Sequence, residues 1–472
     1  MFRKLKRNQV FISLILCAIG GVIAAIPAPS GVAPQAYPMF GIFVALVLGI
    51  LLKPYPITTL SLFGFFVAIV CNLITIEEGC ACFGETVIWF IALASIAAQS
   101  FVKTNLGRRI ACIFIKQTGT HSLSLAYGLM LSECAFAPMI PSNTARAVCL
   151  SVPLAVSISE ALGSSPKDKT EKVIGQFLNL CNMHANQISS TLFLTAMACN
   201  SMVQKFMANI GITITWCEWF LMALVPGLVC VLLSPWLIYK LAPPKLKEIP
   251  QAKVIAQKQL DAMPPIDKNE IKTICVFCAM LLFWVIGSFF KIPTALVALG
   301  GLCVLLATGV LDVDDITGAK EVWSIVIWLS IFTLLAWKLT EFGLIDYYSA
   351  MLKAALHECS WPIVLIIVSA IYYLGRYILP GNTIHACAMF PAFAQLLIAC
   401  GVPAKVGCMV LAFITAYCGY VTPYATSPCP IIFNTGYIDL KLWWKIGVIT
   451  GFFYFFIWIF VGGAWWKVLG YL

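Results

Sequence analysis

Two short polar motifs interrupt apolar stretches of this 472-residue chain. The first reads Pro-Ser-Asn-Thr-Ala-Arg-Ala, from Pro141 to Ala147, and the second reads Pro-Gly-Asn-Thr-Ile-His-Ala, from Pro380 to Ala386. Amides and hydroxyls donate hydrogen bonds to a carboxylate, and a guanidinium can bind one in bidentate fashion. Because the motif recurs in both halves of the chain, it predicts paired binding elements rather than one helix-packing contact.

A second pair of motifs follows the first in each half. Thr191–Thr195 and Thr422–Thr426 both read Thr-x-aromatic-x-Thr. Three prolines from Pro423 to Pro430 exclude a continuous helix through the later motif. The earlier motif has no proline, and we expect its helix to be broken only by analogy with the later one. Carbonyl and hydroxyl oxygens at such breaks suit a hard cation such as sodium.

Each Asn-Thr motif is expected to form the tip of a re-entrant hairpin of two half-helices. The prolines at 141 and 380 interrupt the helix, and irregular backbone at membrane depth requires protein or a polar cavity around it. The second half-helix begins at or just after Asn-Thr, so its N–H groups and positive dipole end point at the tip. Such a tip suits a carboxylate.

Glu133 is the one acid in the apolar stretch before the first tip, and an intramembrane carboxylate is a candidate functional group. Two roles stay open for Arg146: it binds the substrate's carboxylate, or it only neutralises Glu133. No catalytic motif competes with these elements, because His385 alone of the four histidines lies within a motif and no nucleophile–base pattern stands out. We therefore expect a protein that is not an enzyme.

The composition places the chain in a lipid bilayer. Hydrophobic residues make up 61% of it, charged residues 11%, and the mean hydropathy is +0.94, whereas soluble domains carry about 25% charged residues. We expect an all-α polytopic membrane protein with about 11 transmembrane helices, since the apolar runs are long enough to cross the bilayer's hydrocarbon core of roughly 30 Å. These runs are 10–26, 38–52, 58–75, 86–102, 122–137, 172–199, 219–241, 273–291, 294–311, 321–342 and 443–469.

Charge distribution sets the expected topology. Four basic residues within the first seven precede an apolar run that we expect to remain uncleaved, so the positive-inside rule places the N-terminus in the cytoplasm. The hydrophilic stretch 244–272 divides the chain into two comparable halves, which with the paired motifs suggests two inverted repeats. The net charge of +10 lies mostly at helix ends near lipid headgroups, and nothing indicates nucleic acid.

At these motifs the chain resembles the divalent anion:sodium symporter family, whose members carry Ser-Asn-Thr signatures on two opposed hairpins. Ser-Asn-Thr-Ala-Arg-Ala and the Tyr-Ala-Thr-Ser segment running into Gly-Tyr are most similar to the branch of bacterial citrate/succinate and plastid 2-oxoglutarate/malate translocators. The resemblance covers nearly the whole chain. It implies a homodimer of scaffold and transport domains that carries di- or tricarboxylates by an elevator-type movement.

The resemblance also implies which residues bind. Gly381 departs from the family's serine, and Arg146 and His385 fit an exchanger-like branch that includes dicarboxylate antiporters. The residues expected at the substrate are Asn143, Thr144, Arg146, Thr195, Asn382, Thr383, His385, Thr426 and Ser427. Those expected around sodium are Ser142, Asn143, Thr191, Gly381, Asn382 and Thr422.

The expected function is secondary active transport of C4–C5 dicarboxylates such as 2-oxoglutarate, malate and succinate across the cell membrane. Coupling is by sodium symport or dicarboxylate exchange, with sodium as the possible coupling ion and no other cofactor. The alternatives are a tricarboxylate/dicarboxylate antiporter and an anion channel. The expected domain organisation assigns residues 1–115 and 273–358 to scaffold helices and residues 116–243 and 359–472 to the transport domain. Residues 244–272 form the linker.

Overall fold

The computed structural model describes residues 2–118, 120–356, 359–379 and 381–472, without the side chains of residues 2–7 and 355. Pro380, expected at the second hairpin tip, lies outside the described residues. Over the described residues the fold is all-helical, and its β-structure is a single isolated bridge between His121 and Glu248. The expected all-α membrane fold is confirmed.

The helices follow one another with short connections. In the first half they are Phe2–Ala24, Ala36–Leu52, Ile57–Val70, Ile76–Ala81, Thr86–Lys103, Leu106–Thr118, Ser122–Phe136, Asn143–Arg146 continuing through a π-helical turn at Ala147–Ser151 into Val152–Ala161, Gly175–Leu192, Ala198–Asn209 and Trp216–Leu241. In the second half they are Gln251–Asp261, Lys268–Phe290, Thr294–Ala307, Val313–Thr317, Lys320–Glu341, Leu344–Leu356, Trp361–Leu374, Asn382–Ala399, Ala404–Tyr417, Pro428–Asn434 and Leu440–Phe456, the last continuing through a π-helical turn at Ile457–Val461 into Gly462–Val468.

Seven of the described helices are long and apolar enough to cross a membrane, and seven further apolar helices have 10–17 residues. The long ones include both helices that start at an Asn-Thr motif, Asn143–Ala161 and Asn382–Ala399. These helices are those of a membrane protein. The expected number of about eleven membrane-spanning helices stays a prediction.

The chain forms two compact units from non-consecutive segments. The first comprises Met1–Ala92, Thr317–Tyr372 and Thr383–Leu411, and the second comprises Leu93–Ile316, Tyr373–Asn382 and Ala412–Leu472. The expected scaffold and transport boundaries stay predictions.

In the first unit, Lys320–Glu341 packs on Ala36–Leu52 and Ile57–Val70. Phe43 and Phe332 meet edge to face, with ring centroids 6.0 Å apart. Lys338 is buried on this helix, and its Nζ lies 2.7 Å from Oε1 of Glu78. A buried ammonium is tolerated because a carboxylate pairs with it.

In the second unit, the central helix is Gly175–Leu192, which packs on Ser122–Phe136 and Trp216–Leu241. All of its residues except Gln176 are buried, although many are polar. Every one of those polar groups therefore needs a partner inside the protein. The hydrophilic stretch 244–272 also belongs to this unit, and it holds a helix, Gln251–Asp261, that its composition did not reveal.

Candidate functional site

The first tip lies between helix Ser122–Phe136 and the helix that begins at Asn143. Ser142 is the N-cap, and its hydroxyl accepts a hydrogen bond from the N–H of Ala145 at 3.1 Å. Serine is favoured there because it satisfies an N–H that the helix cannot pair itself. Ser142, Asn143 and Thr144 are half-buried, and the helix presents its first N–H groups and positive dipole end at the tip, as predicted.

Arg146 lies one turn into that helix and is fully buried. Its Nε donates to Glu133 at 3.0 Å, its Nη1 to the carbonyls of Ile140 and Ala196 at 2.7 Å each, and its Nη2 to the Ser190 hydroxyl at 2.6 Å. Four of the five N–H donors of a guanidinium are thereby used. The pairing with Glu133 is present, and Arg146 also connects the tip to the helix break near Ala196.

The first broken helix consists of Gly175–Leu192 and Ala198–Asn209, so the break predicted without a proline is confirmed. Phe193 and Met197 are extended and end the helical hydrogen bonding. Asn200 stabilises the break because its Nδ2 donates to the carbonyls of Ser190 and Phe193, at 2.8 and 2.9 Å. These donors replace the amide N–H groups that a continuous helix would have supplied.

The threonines of this break are engaged within the protein. Thr195 donates to the carbonyl of Pro138 at 2.8 Å and accepts from the indole N–H of Trp216 at 3.2 Å. Thr191 donates to the carbonyl of Gln187, one turn earlier, at 2.9 Å. Both side chains are buried, and in this structure both stabilise the break.

The second broken helix consists of Ala404–Tyr417 and Pro428–Asn434, with a short 3-10 turn and irregular backbone between them, as the prolines predicted. Thr426 is buried and donates to the carbonyl of Gly419 at 2.8 Å. Thr422 is also buried, and among the described residues its hydroxyl has no hydrogen-bond partner. Ser427, at the start of the following helix, is exposed.

Asn186 and Gln187 connect the two broken helices and the first tip. Asn186 Nδ2 donates to the carbonyl of Asn143 at 3.0 Å, and its Oδ1 accepts from Gln187 Nε2 at 3.0 Å. Gln187 Nε2 also lies 3.4 Å from the Thr426 hydroxyl. A continuous polar network therefore joins the first tip to the second broken helix, and the sequence motifs did not include its two amides.

Gly419 allows that network to form. A Cβ at this position would lie 2.2 Å from Oε1 of Gln187 and 2.7 Å from Cγ2 of Thr426, so both side chains would have to move. We expect Gly419→Ala to lower the free energy of unfolding by roughly 1–3 kcal/mol, because overpacking forces side chains out of position. Thermal unfolding in detergent tests this, with Gly463→Ala as the control, since nothing lies within 4 Å of a Cβ there.

The second tip ends at Gly381 and Asn382, where the next helix begins. The N–H of Gly381 donates to the carbonyl of Ala425 at 2.8 Å, which joins this tip to the second broken helix. Gly381 has a φ of 83°, a conformation that favours glycine over other residues. This conformation accounts for the glycine at this position of the second tip. Asn382 is buried, and Arg376 bonds to its Oδ1.

Thr383 and His385 belong to the first unit. Thr383 is half-buried, whereas His385 is fully buried. The Nε2 of His385 lies 2.9 Å from the carbonyl of Tyr372, to which it must donate because a carbonyl only accepts. The sequence motif aligned His385 with Arg146. The carbonyl that His385 contacts belongs to helix Trp361–Leu374, whereas Arg146 contacts carbonyls of the tip loop and of a helix break.

The helical breaks, hairpin tips and apolar helices define a multi-pass membrane transporter. The family model described as the sodium:sulfate symporter transmembrane region matches residues 7–472. The chain belongs to this family, which is a family of transporters and not of enzymes.

Curated relatives match over nearly the full length of the chain. A Bacillus subtilis protein named "Putative malate transporter YflS" is 39% identical over 97% of this chain and 96% of its own. The chloroplastic dicarboxylate transporter 2 of Spinacia oleracea is 34% identical over 98% of this chain and 84% of its own. An L-tartrate/succinate antiporter of Shigella flexneri is 29% identical over 96% of this chain and 97% of its own.

A solved structure shares the fold. The YdaH transporter of Alcanivorax borkumensis, described as having an unusual topology, superposes with a TM-score of 0.53 at 10% identity and covers 98% of both chains. At this identity the likeness concerns the fold alone.

Proposed function

We propose that this protein is a secondary active transporter of C4–C5 dicarboxylates. The observation that carries the proposal is the pair of tips, each with an asparagine at the start of a helix and a buried arginine bonded beside it. Helix N-termini and amide donors favour carboxylates. A substrate with two carboxylates would place one at each tip. The relatives named as malate, dicarboxylate and tartrate/succinate transporters support this substrate class.

The proposed substrate ligands are Asn143 and Thr144 at the first tip and Asn382 and Thr383 at the second. Ser427, which follows the second helix break in the sequence, is a further proposed ligand. Arg146, Thr195 and Thr426 are buried and bonded to protein groups, so we propose that they hold the site in shape. The hydroxyl of Thr422 is the member of the expected sodium set that stays buried without a partner among the described residues.

Dicarboxylate exchange is the coupling mode that we favour. Arg376 places a fixed positive charge at the second tip, and carbonyls that already accept from Arg146 or Arg376 are poorer ligands for sodium. Sodium symport is the alternative, and the description of the family supports it. We further propose a homodimer in the cell membrane, with a cytoplasmic N-terminus and elevator-type alternating access, on the basis of the basic N-terminal residues and the family resemblance.

Uptake into vesicles containing the purified protein tests both substrate and coupling. Labelled succinate, malate, 2-oxoglutarate and citrate would each be offered with and without a sodium gradient and with and without internal dicarboxylate. We expect uptake of the C4–C5 acids to be stimulated by internal dicarboxylate and to be insensitive to sodium. Sodium-dependent uptake into vesicles without internal dicarboxylate would instead establish symport, and citrate as the best substrate would favour the tricarboxylate alternative.

A further inference from the structure

Arg376 lies in the turn after the first half-helix of the second hairpin and is fully buried. Its Nη1 donates to the carbonyl of Gly381 at 2.7 Å. Its Nη2 donates to the carbonyl of Ala425 at 2.7 Å and to Oδ1 of Asn382. One guanidinium thus bonds the tip loop, the second helix break and the tip asparagine, although no sequence motif included it.

These contacts orient the amide of Asn382. A guanidinium has only donors, so the atom that faces it must be the amide oxygen, and the NH₂ group must point away. In the structure Nδ2 lies 3.2 Å from Sδ of Met197, at the break of the first broken helix. A thioether is a weak acceptor. The amide therefore presents donors that a carboxylate would satisfy better than Met197 does.

At the first tip, Arg146 makes two contacts that parallel those of Arg376 with backbone carbonyls. It donates to one carbonyl of the tip loop, Ile140, and to one carbonyl of the helix break, Ala196. Arg376 does the same with Gly381 and Ala425. The two arginines occupy different places in the sequence, Arg146 three residues after Asn143 and Arg376 six residues before Asn382. The shared feature is the pair of contacts and not the position in the sequence.

We propose that Arg376 is a positioning residue that makes Asn382 a donor-only ligand for a substrate carboxylate and withholds the Asn382 oxygen from any cation. This inference rests on the proposed dicarboxylate transport. The contacts of Arg376 with a carbonyl of the tip loop and a carbonyl of the helix break parallel those of Arg146. A buried positive charge beside the tip further favours an anion there, because charge interactions are strong where water is excluded.

Arg376→Lys tests the positioning role. Lysine keeps the positive charge but is a compact point charge that cannot span the three acceptors. We expect the half-saturation concentration for labelled dicarboxylate to rise at least tenfold, and the thermal stabilisation by substrate to shrink accordingly. The matched control is Arg109→Lys, since Arg109 is also a buried arginine of the second unit and bonds Glu270 and the carbonyl of Pro264. An Arg376→Lys variant with the wild-type half-saturation concentration would overturn the proposal.

Asn382→Asp provides a second test, which decides the question even where Arg376→Lys does not fold. An aspartate would pair with Arg376 and remove the NH₂ donors, so we expect a folded protein without dicarboxylate uptake at neutral pH. An amide oxygen that bound a coupling cation would be replaced well by a carboxylate. Retained uptake with a steeper dependence on sodium would therefore contradict the donor-only assignment.

The two levels of proposal fail differently. A wild-type protein that neither binds nor transports any dicarboxylate would overturn the proposed function. A wild-type protein that transports dicarboxylates, with both variants behaving like it, would overturn only the role of Arg376.

Discussion

Asn143→Ala and Asn382→Ala are each expected to reduce uptake of labelled dicarboxylate to the background of empty vesicles, while the protein still inserts into the membrane. Each asparagine begins the helix that follows a tip. In the proposed site each amide donates to a substrate carboxylate, and a hydrogen bond to a charged group contributes about 1.5–3 kcal/mol. Losing it weakens binding by roughly 10- to 150-fold, so at substrate concentrations far below half-saturation uptake falls by a similar factor, toward the background of empty vesicles.

The two variants differ in the hydrogen bonds that remain around the substituted residue. Asn143→Ala keeps the backbone carbonyl to which Asn186 donates, so the network below the first tip stays bonded. Asn382→Ala removes one acceptor of the buried Arg376, so this variant is also expected to be less stable. Asn209→Ala is the matched control, because Asn209 is a half-buried asparagine of the same unit at the end of helix Ala198–Asn209. Normal transport by either tip variant would remove that asparagine from the site.

Arg146→Met is expected to reduce both folded protein and transport. The change leaves the Glu133 carboxylate buried without its counter-charge, and breaking a buried ion pair from one side costs about 3–5 kcal/mol. It also removes the donors to the carbonyls of Ile140 and Ala196. The yield of folded protein and its thermal unfolding in detergent measure the first effect, and vesicle uptake measures the second.

The double variant Glu133→Gln/Arg146→Met separates the two roles of Arg146. Removing both charges is expected to restore most of the folded protein, since a buried ion pair can be replaced by neutral side chains at little cost. Transport is expected to stay lost, because the bond between the tip loop and the break near Ala196 remains absent. Recovery of transport together with folding would show that Arg146 only neutralises Glu133.

Arg146→Lys is a milder version of the same experiment. An ammonium can pair with Glu133, but it cannot also reach Ser190 and two carbonyls in the planar geometry of a guanidinium. We expect the half-saturation concentration to rise about tenfold with a nearly normal amount of folded protein. If Arg146→Lys left the kinetics unchanged, the role of Arg146 would be reduced to its charge.

Local residue chemistry predicted the tips and the second break. Proline and small polar residues in an apolar stretch interrupt a helix. The start of a new helix at Asn143 and at Asn382 was therefore predictable from the sequence. The break at Phe193 was expected only from the repeated motif. What stabilises it is Asn200 from the following helix, and a contact of this kind leaves no local signal.

The pairing of Arg146 with Glu133 was among the expected alternatives, but the contacts of Arg376 and His385 were not predictable from the motifs. Aligning the two Asn-Thr motifs paired Arg146 with His385, but His385 donates to the carbonyl of Tyr372, and Arg376 makes the contacts that parallel those of Arg146. Side-chain direction and the path of the tip loop determine these contacts. Asn186 and Gln187 were not predicted for the same reason, since the sequence of helix Gly175–Leu192 does not show which groups its many polar side chains contact.

Accumulation against a gradient tests the central claim most directly. Liposomes containing the protein would be loaded with unlabelled malate, or given an inward sodium gradient, and then offered labelled 2-oxoglutarate outside. A secondary active transporter predicts that the internal label transiently exceeds the external concentration under at least one of these gradients, and that Asn382→Ala abolishes this accumulation. Label that only equilibrates across the membrane under both conditions would contradict the account and indicate an anion channel.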